Sequence, residues 1–283
     1  MSNPGDADNL LIRARSALLD ALDALGAHRD SIVVIGAQAI YLHTAGAAVA
    51  VAEATKDSDL AIDPRTLRNV PLIEKAMERA GFHLDPEKNQ PGAWLNPDGI
   101  PVDLMVPEAL DGGGGSRTRG ARVSPHDKRA MRRARGLEAA VVDNKLMVVG
   151  ALDAFDPRRH EVRVAGTAAL VVAKTHKIGE RAKDKPDRLV DKDAHDVYRV
   201  LLHTPTPALA AEFRHLLADE LAGEVTAQAV ELLRELFAAC PDAAGSLMAG
   251  RTEEGVGEPE TVALQTAILT SDLLDAIGRD GAS

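Results

Sequence analysis

The pattern of the sequence changes near Gly166, and this change limits the fold more than any other feature. Before it, short β-branched runs such as Ser31–Ile35 alternate with amphipathic stretches. After it, apolar residues recur at helical spacing over several long segments. The sequence therefore predicts an α/β (α+β) fold with two domains. The first, over residues 1–166, is a mixed sheet with flanking helices, and the second, over residues 167–283, is a C-terminal helical bundle.

Smaller features subdivide the first predicted domain. Val141–Val142 and Leu146–Val149 lie on either side of three turn-forming residues and predict a hairpin. Upstream, segment 111–135 combines a run of four consecutive glycines with a strongly basic stretch. The glycines predict a hinge, because a glycine run has little conformational restriction.

Composition excludes several classes of protein. The chain has 283 residues, a net charge of -10, one cysteine and 2% aromatic residues. One cysteine excludes a disulfide framework and favours a reducing, cytoplasmic location. Aromatic residues are too few for stacking on many unpaired bases. No stretch reaches the roughly 18–20 apolar residues of a membrane span, so we expect no membrane partner.

Carboxylates on two predicted strands are the first candidates for chemistry. Asp57 and Asp59 alternate with other residues in the strand Asp57–Ile62, so both face one side, about 7 Å apart. Asp103 lies in the apolar strand Ile100–Val106, where burying a lone carboxylate is costly. If the strands are neighbours, the three carboxylates can hold Mg²⁺ or Mn²⁺ against a triphosphate. The alternative is a solvated strand edge.

Charged residues on two predicted helices form the second candidate group. Lys174 lies in the Lys-Thr-His-Lys segment 174–177, and Asp196 ends the Asp-Ala-His-Asp segment 193–196. An antiparallel helical hairpin can bring Lys174 and Asp196 together. The lysine would then contact a triphosphate while the aspartate orients it. An interhelical salt bridge without a functional role is the other interpretation, and the residues leave both open.

The segment Arg117–Arg135 is the third candidate. It holds eight basic residues and one acidic residue in a chain of negative net charge. Such a concentration of positive charge indicates contact with the phosphates of an RNA backbone. A solvated surface or a docking site for an acidic partner would give the same composition.

The order of these motifs resembles a known family. A strand, Gly36-Ala37, a helix and the segment 54–60 (Ala-Thr-Lys-Asp-Ser-Asp-Leu) are similar to the signature of the nucleotidyltransferase fold. Adding Lys174-x-His176 and segment 192–197 (Lys-Asp-Ala-His-Asp-Val) gives a set that resembles the AbiEii-type toxins, which include the MenT toxins. The resemblance covers about residues 32–202.

This resemblance implies a metal-dependent nucleotidyltransferase that transfers NMP from an NTP to an acceptor. In this family some members modify the 3′ end of tRNA and act as the toxin of a toxin–antitoxin pair, controlled by an antitoxin protein. The implied catalytic residues are Asp57, Asp59, Asp103, Lys174 and Asp196. The three that would also hold Mg²⁺ (or Mn²⁺) are Asp57, Asp59 and Asp103. The implied nucleotide contacts, in a cleft between the two domains, are Gly36, Ala37, Thr55, Lys56, Lys174 and Lys177.

Two departures from the family pattern keep other functions open. Ala37 stands where relatives commonly have Ser or Gly, and Ala54 stands where many have Arg. Both favour a catalytically inactive module that binds nucleotide or regulates another protein. A third possibility keeps the chemistry but uses a small, aminoglycoside-like acceptor, for which the negative net charge is suitable.

Overall fold

A computed structural model describes residues 4–44, 57–113, 119–238 and 240–279, with only the backbone for residues 4–8. Contacts divide the chain into two compact units, each made of three segments. Unit 1 comprises Met1–Ala39, Ala54–Leu137 and Asn144–Ala165. Unit 2 comprises Ile40–Glu53, Glu138–Asp143 and Gly166–Ser283.

Unit 1 contains a sheet of eight strands. They are β1 (Ile32–Ile35), β2 (Ser58–Ile62), β3 (His83–Leu84), β4 (Ala93–Leu95), β5 (Pro101–Pro107), β6 (Arg132–Ala134), β7 (Asn144–Gly150) and β8 (Arg159–Ala165). Their order is β3-β4-β5-β2-β1-β8-β7, and β6 also pairs with β5. The β2–β5, β1–β8 and β5–β6 pairs are parallel and the others antiparallel. The predicted mixed sheet is therefore confirmed.

The first three helices are α1 (Pro4–Ala24), α2 (Gly36–His43), which contributes residues to both units, and α3 (Ile73–Arg79). Helix α1 packs on β2 and β5, because its apolar residues recur on one face. Ser58 Oγ donates a hydrogen bond of 2.9 Å to the main-chain oxygen of Ala14 in α1. The face of β2 that carries Ser58 and Leu60 is thus covered by α1, and Asp59 projects from the other face.

Unit 2 is helical in the part of the chain that the structure describes. Its further helices are α4 (Glu138–Val142), α5 (Thr167–Asp184), α6 (Asp191–His203), α7 (Thr206–Ala218), α8 (Gly223–Leu233), α9 (Ala244–Arg251) and α10 (Pro259–Arg279). Helix α5 packs against α6, α7 and α8, and α6 packs against α9 and α10. The predicted C-terminal helical region is confirmed. Among the described helices, none is long and apolar enough to cross a membrane.

The hairpin predicted around residues 143–145 is wrong. Val141 and Val142 end the short helix α4, and Leu146–Val149 belong to β7, which pairs with β8 instead. Two β-branched residues are too few to define a strand, and the buried Ala139 and Ala140 before them favour a helix. Strand β7 finds its partner after a loop, across which the local pattern gives no information.

Candidate active site

Asp59 packs directly against the first residue of α2. The antiparallel register of β1 and β2 pairs Ile35 with Asp59, which brings the carboxylate beside the chain where it turns into the helix. The next residue, Gly36, has φ of +68°. A Cβ on Gly36 would overlap Asp59 Oδ2 and lie 3.0 Å from Asp59 Cβ. The positive φ and the close approach both require glycine at this position.

Asp103 lies next to Asp59 on the neighbouring strand. The parallel register of β2 and β5 pairs the two residues directly. Their side chains therefore project from the same face of the sheet, the face opposite α1. Two carboxylates in adjacent positions repel each other, and a nearby cation reduces this repulsion.

Arg132 of β6 is the cation that the structure places next to Asp103. Arg132 Nη2 lies 3.0 Å from Asp103 Oδ2, and the two side chains are 22% and 18% exposed. The other carboxylate oxygen, Asp103 Oδ1, is buried and has no hydrogen-bond partner within the described residues. One oxygen of Asp103 is thus bound by arginine, while the other is buried without a hydrogen-bond partner among the described residues.

The donor atoms on this face suit a divalent cation. In the described residues no group of three or more His, Cys, Asp or Glu side chains is already gathered as a metal site. Asp57 precedes β2 by one residue and is exposed. Asp59 and Asp103 supply carboxylate oxygens, which Mg²⁺ and Mn²⁺ prefer, and Mg²⁺ is commonly held by one or two carboxylates together with substrate phosphates. The buried, unpaired Oδ1 of Asp103 supports the same assignment, so the residues present fit such an ion.

The structure describes only some of the other nucleotide contacts that were predicted in unit 1. Ala37 lies in the first turn of α2 and is buried. Thr55 and Lys56, together with Ala54, lie outside the described residues. Their roles stay predictions.

Lys174 lies at the centre of a buried ion cluster in unit 2. Its Nζ is 2.7 Å from Asp193 Oδ1 and 2.7 Å from Asp196 Oδ2. Asp193 is also bound by Lys177 at 2.9 Å and by Arg181 at 3.0 Å. Helices α5 and α6 supply these residues, three cations from the first and two carboxylates from the second. The structure therefore brings Lys174 and Asp196 together, as the helical-hairpin interpretation expected, and adds Asp193.

The opposite charges within this cluster shift the pKa values of Lys174 and Asp193 so that both stay ionised. Burial alone would lower the pKa of Lys174, yet the carboxylates of Asp193 and Asp196 raise that pKa well above its ordinary value. Burial alone would raise the pKa of Asp193, but Lys174 and Lys177 hold it far below its usual range. Lys174 is therefore a permanent cation at neutral pH, and its charge is already balanced by two carboxylates.

A second contact of α6 involves the end of α2. Arg199 lies over the ring of Tyr41, with its guanidinium carbon 4.8 Å from the ring centre, and donates a hydrogen bond of 3.3 Å to Thr44 Oγ1. Burial, and then the charge of Asp196, raises the pKa of the Tyr41 hydroxyl. Tyr41 thus stays protonated beside the cluster, where it can donate a hydrogen bond.

The basic segment divides into paired and exposed residues. Arg132 binds Asp103, Arg133 binds Glu108 and Asp111, and Arg135 lies 3.7 Å from Glu108. Arg117 lies outside the described residues. Four further cations are exposed, and we call them the exposed basic group: Arg119, Arg122, Lys128 and Arg129.

Sequence reasoning assigns no role to two residues that the structure places at the centre of these clusters. Arg132 is one cation among eight in a basic segment, and nothing local distinguishes it. Asp193 carries a detectable signal, because Lys174, Lys177 and Arg181 recur on one helix face while Asp193 and Asp196 recur on the next helix.

Comparison with protein-family models gives a match over part of the chain. Residues 13–144 match a family model described as a nucleotidyltransferase. The matched range contains Gly36, Asp59, Asp103 and Arg132 and ends before Lys174. Searches of curated proteins and of solved structures found no match. The family match supports a nucleotidyltransferase, the class of enzyme that transfers NMP from an NTP.

Proposed function

We propose that this protein transfers NMP from an NTP to a hydroxyl group of an RNA, with a divalent cation held by Asp59 and Asp103. The juxtaposition of Asp59, Asp103 and Gly36 carries this proposal, because it lies within the range that matches the nucleotidyltransferase model. Asp57, which is exposed immediately before β2, would supply a third carboxylate when substrate is bound.

The reaction is a displacement at phosphorus. The acceptor hydroxyl oxygen forms a bond to the α-phosphorus as the bond to the β-phosphate oxygen breaks, so pyrophosphate leaves and the hydroxyl proton passes to a carboxylate of the site. A bound Mg²⁺ or Mn²⁺ would supply neutralisation of the phosphate charge. Asp59 and Asp103 hold and orient the reacting groups, and the absence of a side chain at Gly36 leaves room for the Asp59 carboxylate beside the start of α2. The work of the chain is positioning and charge balance.

The acceptor and the biological role are finer parts of the proposal. The exposed basic group supports an RNA acceptor, because its four cations have no role in the ion pairs of β6. The AbiEii-like order of motifs supports the tRNA 3′ end as target and a cytoplasmic toxin controlled by an antitoxin. The resemblance also implies roles in nucleotide binding and catalysis for Lys174, Lys177 and Asp196, and these stay part of the proposal; within unit 2 the charge of Lys174 is balanced by Asp193 and Asp196.

The test is incorporation of label from α-³²P-NTPs with Mg²⁺ or Mn²⁺ in the presence of total RNA, of an aminoglycoside, or of neither. We expect labelled RNA, and an Asp59→Asn variant should incorporate about 10³-fold less, because several kcal/mol of charge stabilisation are lost. Asp98→Asn is the matched control, since Asp98 is an exposed turn residue of the same unit.

Each outcome separates the candidate functions. Label on the aminoglycoside alone would support the small-molecule acceptor. A rise in melting temperature with NTP and Mg²⁺ but no incorporation would support the inactive nucleotide-binding module. Undiminished incorporation by Asp59→Asn would contradict the proposed site.

A further inference from the structure

Three neighbouring strands carry charged side chains on one face of the sheet. Asp59 on β2 pairs with Asp103 on β5, and Arg132 on β6 pairs with Met105, two residues beyond Asp103. Because alternate residues share a face, Arg132 projects from the same face as Asp103. Its guanidinium reaches back along β5 to the carboxylate, at 3.0 Å.

The backbone of Arg132 is fixed from more than one direction. On one side β6 pairs with β5, and on the other Gly120 forms an antiparallel bridge with Arg132. Gly92 packs so closely that a Cβ there would lie 2.7 Å from the Arg132 nitrogen and would overlap the main-chain oxygen of Leu104. The backbone that carries the Arg132 side chain is therefore held by β5, Gly120 and Gly92.

The two carboxylate oxygens of Asp103 differ in their hydrogen bonding. Oδ2 accepts from Arg132, while Oδ1 is buried and lacks a hydrogen-bond partner in the described part of the chain. Leaving a buried carboxylate oxygen unpaired is unfavourable unless a ligand occupies it. The arginine thus binds one oxygen and leaves the other for a ligand.

We propose that Arg132 is a positioning residue, which holds Asp103 through Oδ2 so that Oδ1 is directed to the divalent cation. This inference rests on the proposed function of Asp59 and Asp103. Groups that hydrogen-bond to metal-ligating carboxylates orient them, and replacing such groups typically costs about 10- to 100-fold in metal affinity or activity.

The charge of Arg132 and its orienting hydrogen bond have opposite effects on metal binding. Removing a positive charge near the site would by itself strengthen cation binding. Removing the hydrogen bond to Oδ2 would let the carboxylate rotate and would weaken cation binding. The sign of the change in affinity therefore separates the two effects.

The experiment is a titration of the full-length protein with Mn²⁺, in which electron paramagnetic resonance measures free Mn²⁺. We compare wild type, Arg132→Met, Arg132→Lys and the control Arg133→Met, which loses the ion pairs with Glu108 and Asp111 from the same strand on the opposite face. Arg132→Met should bind Mn²⁺ about tenfold more weakly, and Arg132→Lys, which keeps a donor, should recover part of the loss. In the incorporation assay kcat should fall with KM for NTP unchanged.

Equal or tighter Mn²⁺ binding by Arg132→Met would overturn the positioning role. If wild type binds Mn²⁺ and Arg132→Met binds it equally well, only this inference fails. If wild type binds no Mn²⁺, the metal-dependent function fails with it. Arg132→Leu provides the same comparison should Arg132→Met not fold, because leucine also lacks both the charge and the hydrogen-bond donor.

Discussion

Replacing Gly36 by alanine tests the site through its backbone and leaves every carboxylate in place. At φ of +68° a residue with a Cβ costs about 1–2 kcal/mol. The new Cβ would lie 3.0 Å from Asp59 Cβ, so Asp59 must retreat by about 0.5 Å to reach an ordinary separation, and its carboxylate by more. We expect the free energy of unfolding to fall by about 2–4 kcal/mol in total. Nucleotide incorporation should fall about 10²-fold, the effect of a displacement near 1 Å.

Gly99→Ala is the matched control for this experiment. Gly99 lies in unit 1 with φ of +73°, and a Cβ there would meet no atom within 4 Å. It carries the same backbone strain without touching Asp59. Urea unfolding can be followed by the fluorescence of Trp94, the single tryptophan, which is buried in β4. If Gly36→Ala is as active as Gly99→Ala, the close packing of Asp59 on Gly36 has no catalytic meaning and the reasoning is refuted.

Three other perturbations probe the remaining clusters. Lys174→Met should lower the free energy of unfolding by about 3–5 kcal/mol in urea titrations followed by circular dichroism, because Asp193 and Asp196 lose a buried counter-ion. Adding Asp196→Asn should restore part of that loss, and no recovery would contradict the cluster. Burial holds the pKa of His195 below its ordinary 6.5 despite its hydrogen bond with Glu253. As the pH falls through 6.5, His195 is therefore protonated in the unfolded chain while it stays neutral in the native protein. Stability should therefore decrease as pH falls from 7 through 6.5, and His195→Gln should reduce this slope; an equal slope would show that His195 is not responsible. Replacing the exposed basic group by serine should lower the salt dependence of RNA binding. The slope of log K against log salt should become shallower by about 0.7 for each phosphate that is no longer neutralised. Filter binding at several KCl concentrations measures this slope, and an unchanged slope would contradict RNA contact by the exposed basic group.

The long elements could be predicted because their periodicity is local. Helices α5, α6 and α10 each repeat apolar residues at helical spacing over several turns, so the sequence alone indicates them. The short α4 does not reach that length, and its two valines are equally typical of a strand. Elements of five residues are decided by packing partners distant in sequence, which a local pattern does not contain.

The candidate site was likewise predictable only where a local pattern carries the information. The sequence shows that Asp59 and Asp103 lie in apolar strands, but it leaves open whether those strands are neighbours. Sheet order and register decide that question, and the structure pairs the two residues directly. Arg132 was unpredictable for the same reason, since it reaches Asp103 only because β6, 29 residues further on, pairs with β5.

The chain passes between its two units several times, and this limits how the protein can be divided. Unit 2 takes Ile40–Glu53 and Glu138–Asp143 from within the sequence of unit 1. A truncated chain that ends at residue 166 would therefore carry the two stretches of unit 2 that lie within the sequence of unit 1, and its complement would lack them. No single cut releases either unit whole, so an exchange of units with a similar protein should give a folded product only if all the crossing segments are exchanged together.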